Sequence, residues 1–245
     1  MSSDFRHLYI KVAEAVTRCG MIRDGDRILC GISGGLDSMV MFLALSELRK
    51  TAPVKFTLTG AVFDPGYPGF DTAAVEKFCR SCGGDFASVK MDMASLIAEK
   101  KWEKSPCVLC SRLRRGKLYG LAGELGCNSL ALGHHLDDAL ASFFMSLCRG
   151  QGISSMAPVV EAKSDRAVRI IRPMIYAPEK LVKSAAAECG ITPGGDCPYK
   201  EQLLRSGDRE YFRRLTDTLA EKIPDVRANI LHSFGRVECD HLPGF

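Results

Sequence analysis

At 245 residues, with 46% hydrophobic and 25% charged residues, the chain has room for one large α/β domain and the balance of a water-soluble globular protein. No apolar run approaches the ~18 residues needed to cross a bilayer, and the first residues, MSSDFRHLYIKV, lack the apolar centre of a secretory signal, so a cytoplasmic location is expected. A net charge of +4 is too mild to demand a nucleic-acid partner, yet from Glu99 to Gly120 seven Lys/Arg stand against two Glu, a local excess of +5. Such a patch can grip phosphates; the plain alternative is a solvated helix face.

The predicted elements alternate. Apolar residues at helical spacing predict a helix over Phe5–Cys19, capped by Gly20, and a strand follows at Arg27–Ile32. A glycine-rich turn leads into a helix over Asp37–Lys50, ended by Pro53. A second strand spans Thr57–Phe63, followed by the turn DPGYPGFD, a helix over Thr72–Cys82 closed by Gly83-Gly84, and a third strand at Phe86–Lys90. A helix over Cys110–Leu125 precedes a fourth strand at Ser129–Leu132 and a helix over Leu136–Cys148. Residues 149–166 read as a surface loop, Val168–Arg172 as a fifth strand and Pro178–Cys189 as a helix; Ser206–Val237 is mostly helical, broken at Pro224.

Alternating strands and helices predict an α/β fold with a parallel, twisted sheet and helices on both faces. Ligands of such sheets bind beyond the carboxyl ends of the strands. The organisation expected is a catalytic domain over 1–195 and a C-terminal helical extension over 196–245 packed on the same core.

The first motif is RILCGISGGLDS at 27–38. An apolar strand enters a turn of small residues and then a helix. Gly31, Gly34 and Gly35 admit close backbone approach and positive φ. Backbone N–H groups at a helix start bind anions, and Ser33 and Ser38 carry hydroxyls that can donate to phosphate oxygens. Asp37 beside an anion makes sense if a Mg²⁺ lies between them. No Lys follows the glycines, so this is not the GxxxxGK[ST] loop. The hexapeptide resembles the SGGxDS signature of the PP-loop, or N-type ATP pyrophosphatase, superfamily. That resemblance implies ATP as cofactor, cleaved between the α and β phosphates.

Eleven cysteines in a chain read as cytoplasmic favour metal binding or catalysis over disulfides. Cys19, Cys30, Cys127, Cys148 and Cys189 stand singly and read as packing residues. Cys107 and Cys110 form PCVLCSRLRRG, where CxxC spacing brings two sulfurs within reach of one metal and Arg112, Arg114, Arg115 and Lys117 follow. After the fourth strand comes Gly133-His134-His135-Leu136-Asp137-Asp138. Two imidazoles and two carboxylates on a strand-to-helix turn can hold Mg²⁺, orient substrate or move protons; the simpler reading is a helix N-cap.

PCVLCSRLRRG, GHHLDD, IIRPMIY at 170–176, Cys197-Pro198 and the turn FDPGYPGFD occur in the order found in tRNA 2-thiocytidine synthetases, the TtcA family, and the resemblance spans roughly residues 5–240. It implies ATP-dependent sulfur transfer to a tRNA base through an adenylate. It also implies a [4Fe-4S] cluster held by Cys107, Cys110 and Cys197, with one iron open to a hydrosulfide. ATP-binding roles pass to Ser33, Gly34, Gly35, Asp37, Ser38, Gly133 and His134, with Ala61 and Phe63 as adenosine contacts. Asp37, Asp137 or Asp138 supplies the acidic catalytic or Mg²⁺ group, and Arg114 lies near substrate. Partners implied are tRNA, a sulfur donor such as a cysteine desulfurase, no membrane, and a homodimer. Around Cys197 the chain reads Cys-Pro-Tyr-Lys where that family usually has a second CxxC.

Three alternatives stand beside this. Cys79-Arg80-Ser81-Cys82 is another CxxC, and with Cys107 and Cys110 it would make a four-cysteine structural zinc site. A PP-loop enzyme can also adenylate a substrate for amidation, without those cysteines. A non-catalytic ATP- or RNA-binding protein is the third. Trp102 reads as a half-buried anchor rather than a base-stacking platform. His232 and His241 carry no role. Arg209, Arg213, Arg214, Arg227 and Arg236 read as a solvated helical face, with tRNA support as the other possibility.

Overall fold

A computed structural model describes residues 2–66, 70–93, 95–96, 106–161, 168–193 and 208–238, with the backbone alone at 106–109. The strands are β1 (Asp26–Ile32), β2 (Phe56–Asp64), β3 (Asp85–Lys90), β4 (Ser129–Leu132), β5 (Val159–Val160) and β6 (Arg169–Ile171). The helices are α1 (Ser3–Arg18), α2 (Leu36–Thr51), α3 (Thr72–Ser81), α4 (Pro106–Glu124), α5 (Leu136–Cys148), α6 (Glu179–Glu188), α7 (Asp208–Lys222) and α8 (Val226–Ser233). The strands form one sheet in the order β3-β2-β1-β4-β6-β5, parallel except for the β5–β6 pair.

Chain order reverses between β1 and β4, the place where a doubly wound sheet opens a crevice. In register Gly31 lies beside Leu132, and Ile32 beside Val62, so the loops after β1, β2 and β4 leave the same edge together. Side-chain alternation divides each strand between two faces. Ile28, Cys30 and Ile32 of β1 pack with the buried residues of α1, α2, α3 and α6. Leu29 turns the other way, against Leu118, Leu121 and Ala122 of α4. Helices therefore cover both faces, as the alternating pattern predicts.

Close approach fixes some residue types. A Cβ at Gly60 of β2 would meet Cys79 Sγ at 2.4 Å, so only glycine lets α3 settle there. At the amino edge Arg169 forms a buried ion pair with Asp26 at 2.7 Å, and the guanidinium also reaches Ser129 Oγ at 3.2 Å. Asp26 accepts further bonds from the Arg23 backbone N–H and the Asn128 side chain, which ties the starts of β1, β4 and β6 together.

Two expectations change. Residues 149–166 contain the short antiparallel strand β5, too brief to give a periodic signal after Gly150, Gly152 and Pro158. The helix expected from Cys110 begins at Pro106, because proline at a first helical position costs no backbone hydrogen bond. That places both Cys107 and Cys110 in its opening turns. The tail breaks where expected: Asp225, at φ 59°, separates α7 from α8. Among the described residues no helix is long and apolar enough to cross a membrane.

Candidate ATP and sulfur-transfer site

The loop between β1 and α2 is shaped by its glycines. Gly34 has φ 81° and Gly35 caps α2 with extended backbone. The Ser38 hydroxyl donates to the Gly35 carbonyl at 2.9 Å and accepts from the Ser33 backbone N–H at 3.1 Å. Ser33 Oγ accepts the Gly35 N–H at 3.3 Å. Ser38 is thus occupied in holding the loop, while Ser33 is an exposed residue whose hydroxyl also lies 3.3 Å from Ser38 Oγ. The first N–H groups of α2 point out of this turn, where an anion is favoured.

Gly133 closes the back of the loop. A Cβ built on it would stand 3.1 Å from both Ser38 Cα and Ser38 N. Glycine at this position lets the turn after β4 press against the start of α2, so the two motifs form one site.

Asp37 sits in the first turn of α2, half-buried. Burial raises its pKa; His135 opposes that rise, and the carboxylates of Asp138 and Glu179 add to it. Among the described residues Asp37 has no hydrogen-bond or ion-pair partner.

Asp137 and Asp138 are differently placed. Asp137 Oδ1 accepts from Arg227 Nε at 2.7 Å, and its Oδ2 accepts the Glu179 backbone N–H at 2.7 Å. Asp138 Oδ1 accepts from Arg213 Nη2 at 2.6 Å, and its Oδ2 accepts the His135 backbone N–H at 3.1 Å. That last bond caps α5. Burial pushes the Asp138 carboxyl up, but His135, Arg213 and His134 together with the backbone bond outweigh it and hold the pKa low. His134 is drawn down to about 4, chiefly by burial, with Asp138 working against the shift. Its Nδ1 is buried without a hydrogen-bond partner, as are both ring nitrogens of His135, which stand 3.9 Å from Asp137 Oδ2 and 3.6 Å from Asp138 Oδ2.

Arg213 and Arg227 do not lie on the solvated face that their spacing predicts: both are half-buried against Asp138 and Asp137. Their pKa values rise despite burial because they meet Asp138 and Asp137. Arg214 does lie exposed, paired with Glu210 one turn away. The partners of Arg213 and Arg227 stand 75 and 90 residues earlier in the chain, so no local pattern marks them.

Ala61 and Phe63 are buried on the α4 face. Ala61 packs with Leu118 and Leu130, and Phe63 packs with Met93, flanked by Cys110 and Leu113. Their side chains are thus committed to packing. Cys110 is half-buried at the carboxyl edge; Cys107 lies one turn earlier, and Cys197 is outside the described residues. Two cysteines a turn apart at this edge suit a thiolate-held cluster. Arg114 is half-buried on α4, while Arg112, Arg115 and Lys117 are exposed. Trp102, His241 and the basic residues at 100, 101 and 104 lie outside the described residues.

The four-cysteine zinc alternative is overturned. Cys79 is buried on the α2 face, against Gly60, while Cys110 packs on Phe63 across the sheet. Burial, reinforced by Cys82, pushes the Cys79 thiol up to about 12. Among the described residues no group of three or more His, Cys, Asp or Glu is placed to hold a metal. Cys30 and Cys127 are buried packing residues and Cys19 and Cys189 half-buried ones, but Cys148 is exposed.

Residues 6–196 match the family model described as the PP-loop domain. The chain belongs to the PP-loop family. Within this PP-loop protein the match takes in the glycine loop, the Gly133-His134 turn and both cysteines of α4. It is 36% identical over 239 residues to the tRNA-cytidine(32) 2-sulfurtransferase of Syntrophotalea carbinolica, covering 97% of this chain and 92% of that one. It is 38% identical over 241 residues to the enzyme of the same name from Sorangium cellulosum, covering 97% and 83%. Among solved structures, the U34-tRNA thiolase NcsA from Methanococcus maripaludis with its [4Fe-4S] cluster superposes with a TM-score of 0.76 at 25% identity, covering 98% of this chain and 80% of that one.

Proposed function

We propose that this PP-loop protein is an ATP-dependent tRNA sulfurtransferase that converts a cytidine to 2-thiocytidine. The base carbonyl oxygen takes the α-phosphoryl group of ATP with loss of pyrophosphate, and sulfur then displaces AMP from the activated carbon. The observation that carries this is the meeting of two sites at one sheet edge. Ile32 is in register with Val62, so Ser33 of the phosphate loop leaves the sheet level with Phe63, the residue on which Cys110 packs. Anion-binding backbone and a sulfur-bearing helix start are thereby neighbours.

The roles follow the geometry. Ser33, Gly34 and Gly35 cradle the polyphosphate, and Asp37 is the carboxylate free to share a Mg²⁺ with it. Gly133 seats the second motif against the loop, and neutral His134 offers its unpartnered Nδ1 to the nucleotide or base. Cys107, Cys110 and Cys197 would hold a [4Fe-4S] cluster, which supplies an iron able to carry the sulfur to be transferred. Arg112, Arg115 and Lys117, exposed along α4 with Arg114 beside them, suit the phosphates of tRNA. A cysteine-desulfurase-type sulfur donor, a homodimer and a cytoplasmic location complete the reading.

Anaerobic reconstitution with iron and sulfide tests it, followed by iron counting and assay of AMP and 2-thiocytidine with tRNA and Mg-ATP. About four irons per chain, lost in Cys197→Ala together with thiolation, is expected. AMP release unaccompanied by thiolated base, in protein that holds its iron, would overturn sulfur transfer.

A further inference from the structure

Arg213 and Arg227 belong to the C-terminal helices, yet they end on the turn that faces the ATP loop. Arg213 of α7 bridges Asp138 at 2.6 Å and Glu179 at 3.4 Å, joining the first turn of α5 to the first turn of α6. Arg227 of α8 binds Asp137 at 2.7 Å and also pairs with Asp217 of α7. Asp137 in turn accepts the Glu179 backbone N–H, so the same carboxylate caps α6. The side chains of Asp137 and Asp138 are each only 8% exposed, and that of Arg213 is 23% exposed.

These pairs differ from the molecule's other Arg–Glu contacts. The Arg18–Glu14, Arg80–Glu76 and Arg214–Glu210 pairs are single-turn contacts on exposed helix faces, of the kind that contributes little. The Arg213–Asp138 and Arg227–Asp137 pairs are long-range and largely desolvated, although Arg213 Nε is itself buried without a hydrogen-bond partner. A buried pair of this sort is costly to break from one side, because a charge is left unpaired. Its value lies in geometry: it fixes where two carboxylates and the His134-His135 backbone stand relative to Ser38, only one glycine away.

Resting on the reading of the chain as an adenylating sulfurtransferase, we propose that Arg213, supported by Arg227, is a positioning residue for adenylation. It holds the GHHLDD turn against the ATP loop through Asp138 and Glu179. The C-terminal helices are then a working part of the ATP site. With Asp138 and Glu179 as its partners, Arg213 acts through the orientation of the turn they belong to, and so on the chemical step more than on ATP capture.

The test uses the full, cluster-reconstituted chain and measures tRNA-dependent AMP formation against Mg-ATP concentration for Arg213→Gln, Arg213→Lys, Asp138→Asn and the double variant R213Q/D138N. Arg213→Gln should lower kcat by about a hundredfold, as misplacement of a reacting group does, while KM for ATP moves by less than about threefold. Arg213→Lys, which keeps a point charge but cannot bridge both acids, should recover about tenfold of that loss. A merely structural arginine would give no such split and no such rescue. Should Arg213→Gln fold poorly, R213Q/D138N removes the unpaired buried charge; it should melt higher than Arg213→Gln and keep the kcat defect. Wild-type kcat in any folded Arg213 variant overturns the proposal, and so do additive melting shifts in the Arg213–Asp138 cycle. That melting cycle needs no substrate. If the wild type forms no AMP with tRNA, the functional reading fails while non-additive melting still upholds the interlock.

Discussion

Gly133 lies so close to Ser38 that a methyl group built on it would stand 3.1 Å from the Ser38 backbone nitrogen. The contact is between two backbones, so no flexible side chain can yield. Gly133→Ala must push the start of α2 away from the β4 turn or leave strain in place, at about 1–3 kcal/mol for overpacking. The loop's phosphate-facing N–H groups move with that helix. Losing one such hydrogen bond, roughly 1.4 kcal/mol, weakens ATP by about tenfold. Equilibrium dialysis with Mg-ATP measures this, and unchanged affinity in a folded variant would show that the two motifs do not share a site.

Cys79 and Cys110 pack on opposite faces of the sheet, so their chemistry should separate cleanly. Cys79→Ser puts a hydroxyl in an apolar pocket against Gly60 and should cost about 1–3 kcal/mol in chemical denaturation. Iron content after reconstitution should equal that of the wild type. Cys110→Ser should show the reverse, with iron lost and stability before reconstitution little altered. Metal loss in Cys79→Ser would contradict the assignment of the two CxxC pairs.

Much of this site is legible in the chain alone, for a physical reason. The glycine loop, the CxxC helix and the GHHLDD turn each follow a strand, and a parallel sheet gathers such segments at one edge. Local spacing therefore carries over into space. The Arg213 and Arg227 contacts have no comparable signal, because they depend on how α7 and α8 lie across α5. The hydroxyl of Ser38 is another case: its residue type suits phosphate, but the turn consumes it. β5 escapes notice because two residues cannot show alternation. Cys79 and Cys107 are equally spaced from their partners, and only the alternation of β2 reveals that Cys79 and Cys110 lie on different faces.

Arg169 and Asp26 form the most deeply buried Arg–carboxylate pair among the described residues, with side chains 7% and 4% exposed. They stand at the amino edge, away from the ATP loop. Arg169→Met should cost about 3–5 kcal/mol, because Asp26 stays buried with its charge unpaired. R169M/D26N should recover a part of this. At a temperature where the variants remain folded, kcat for AMP formation should match the wild type. A matching loss of kcat would mean that the strand starts influence the opposite edge.

His134 is held near pKa 4, largely by burial, against 6.5 for the free side chain. In the folded protein the ring stays neutral, while the unfolded chain takes up a proton near pH 6.5. The folded state is thus not penalised above pH 6.5, loses stability as the pH falls from about 6.5 to 4, and loses no more from this group below that. A shift of this size corresponds to roughly 3 kcal/mol. The Asp138 carboxylate, held low, also contributes stability that is lost in acid, but that loss begins below the usual carboxylate pKa of about 4. The raised Asp37 carboxyl works the opposite way, since its protonation favours the folded state as the pH falls, so the imidazole is read from the difference between wild type and His134→Gln. Denaturant titrations of the nucleotide-free protein should show a falling stability from about pH 6.5 to about 4.5, and His134→Gln, which keeps a polar group without a titrating one, should flatten it. An unchanged slope in His134→Gln would assign the acid sensitivity to another group and leave His134 solvated rather than buried at the nucleotide site.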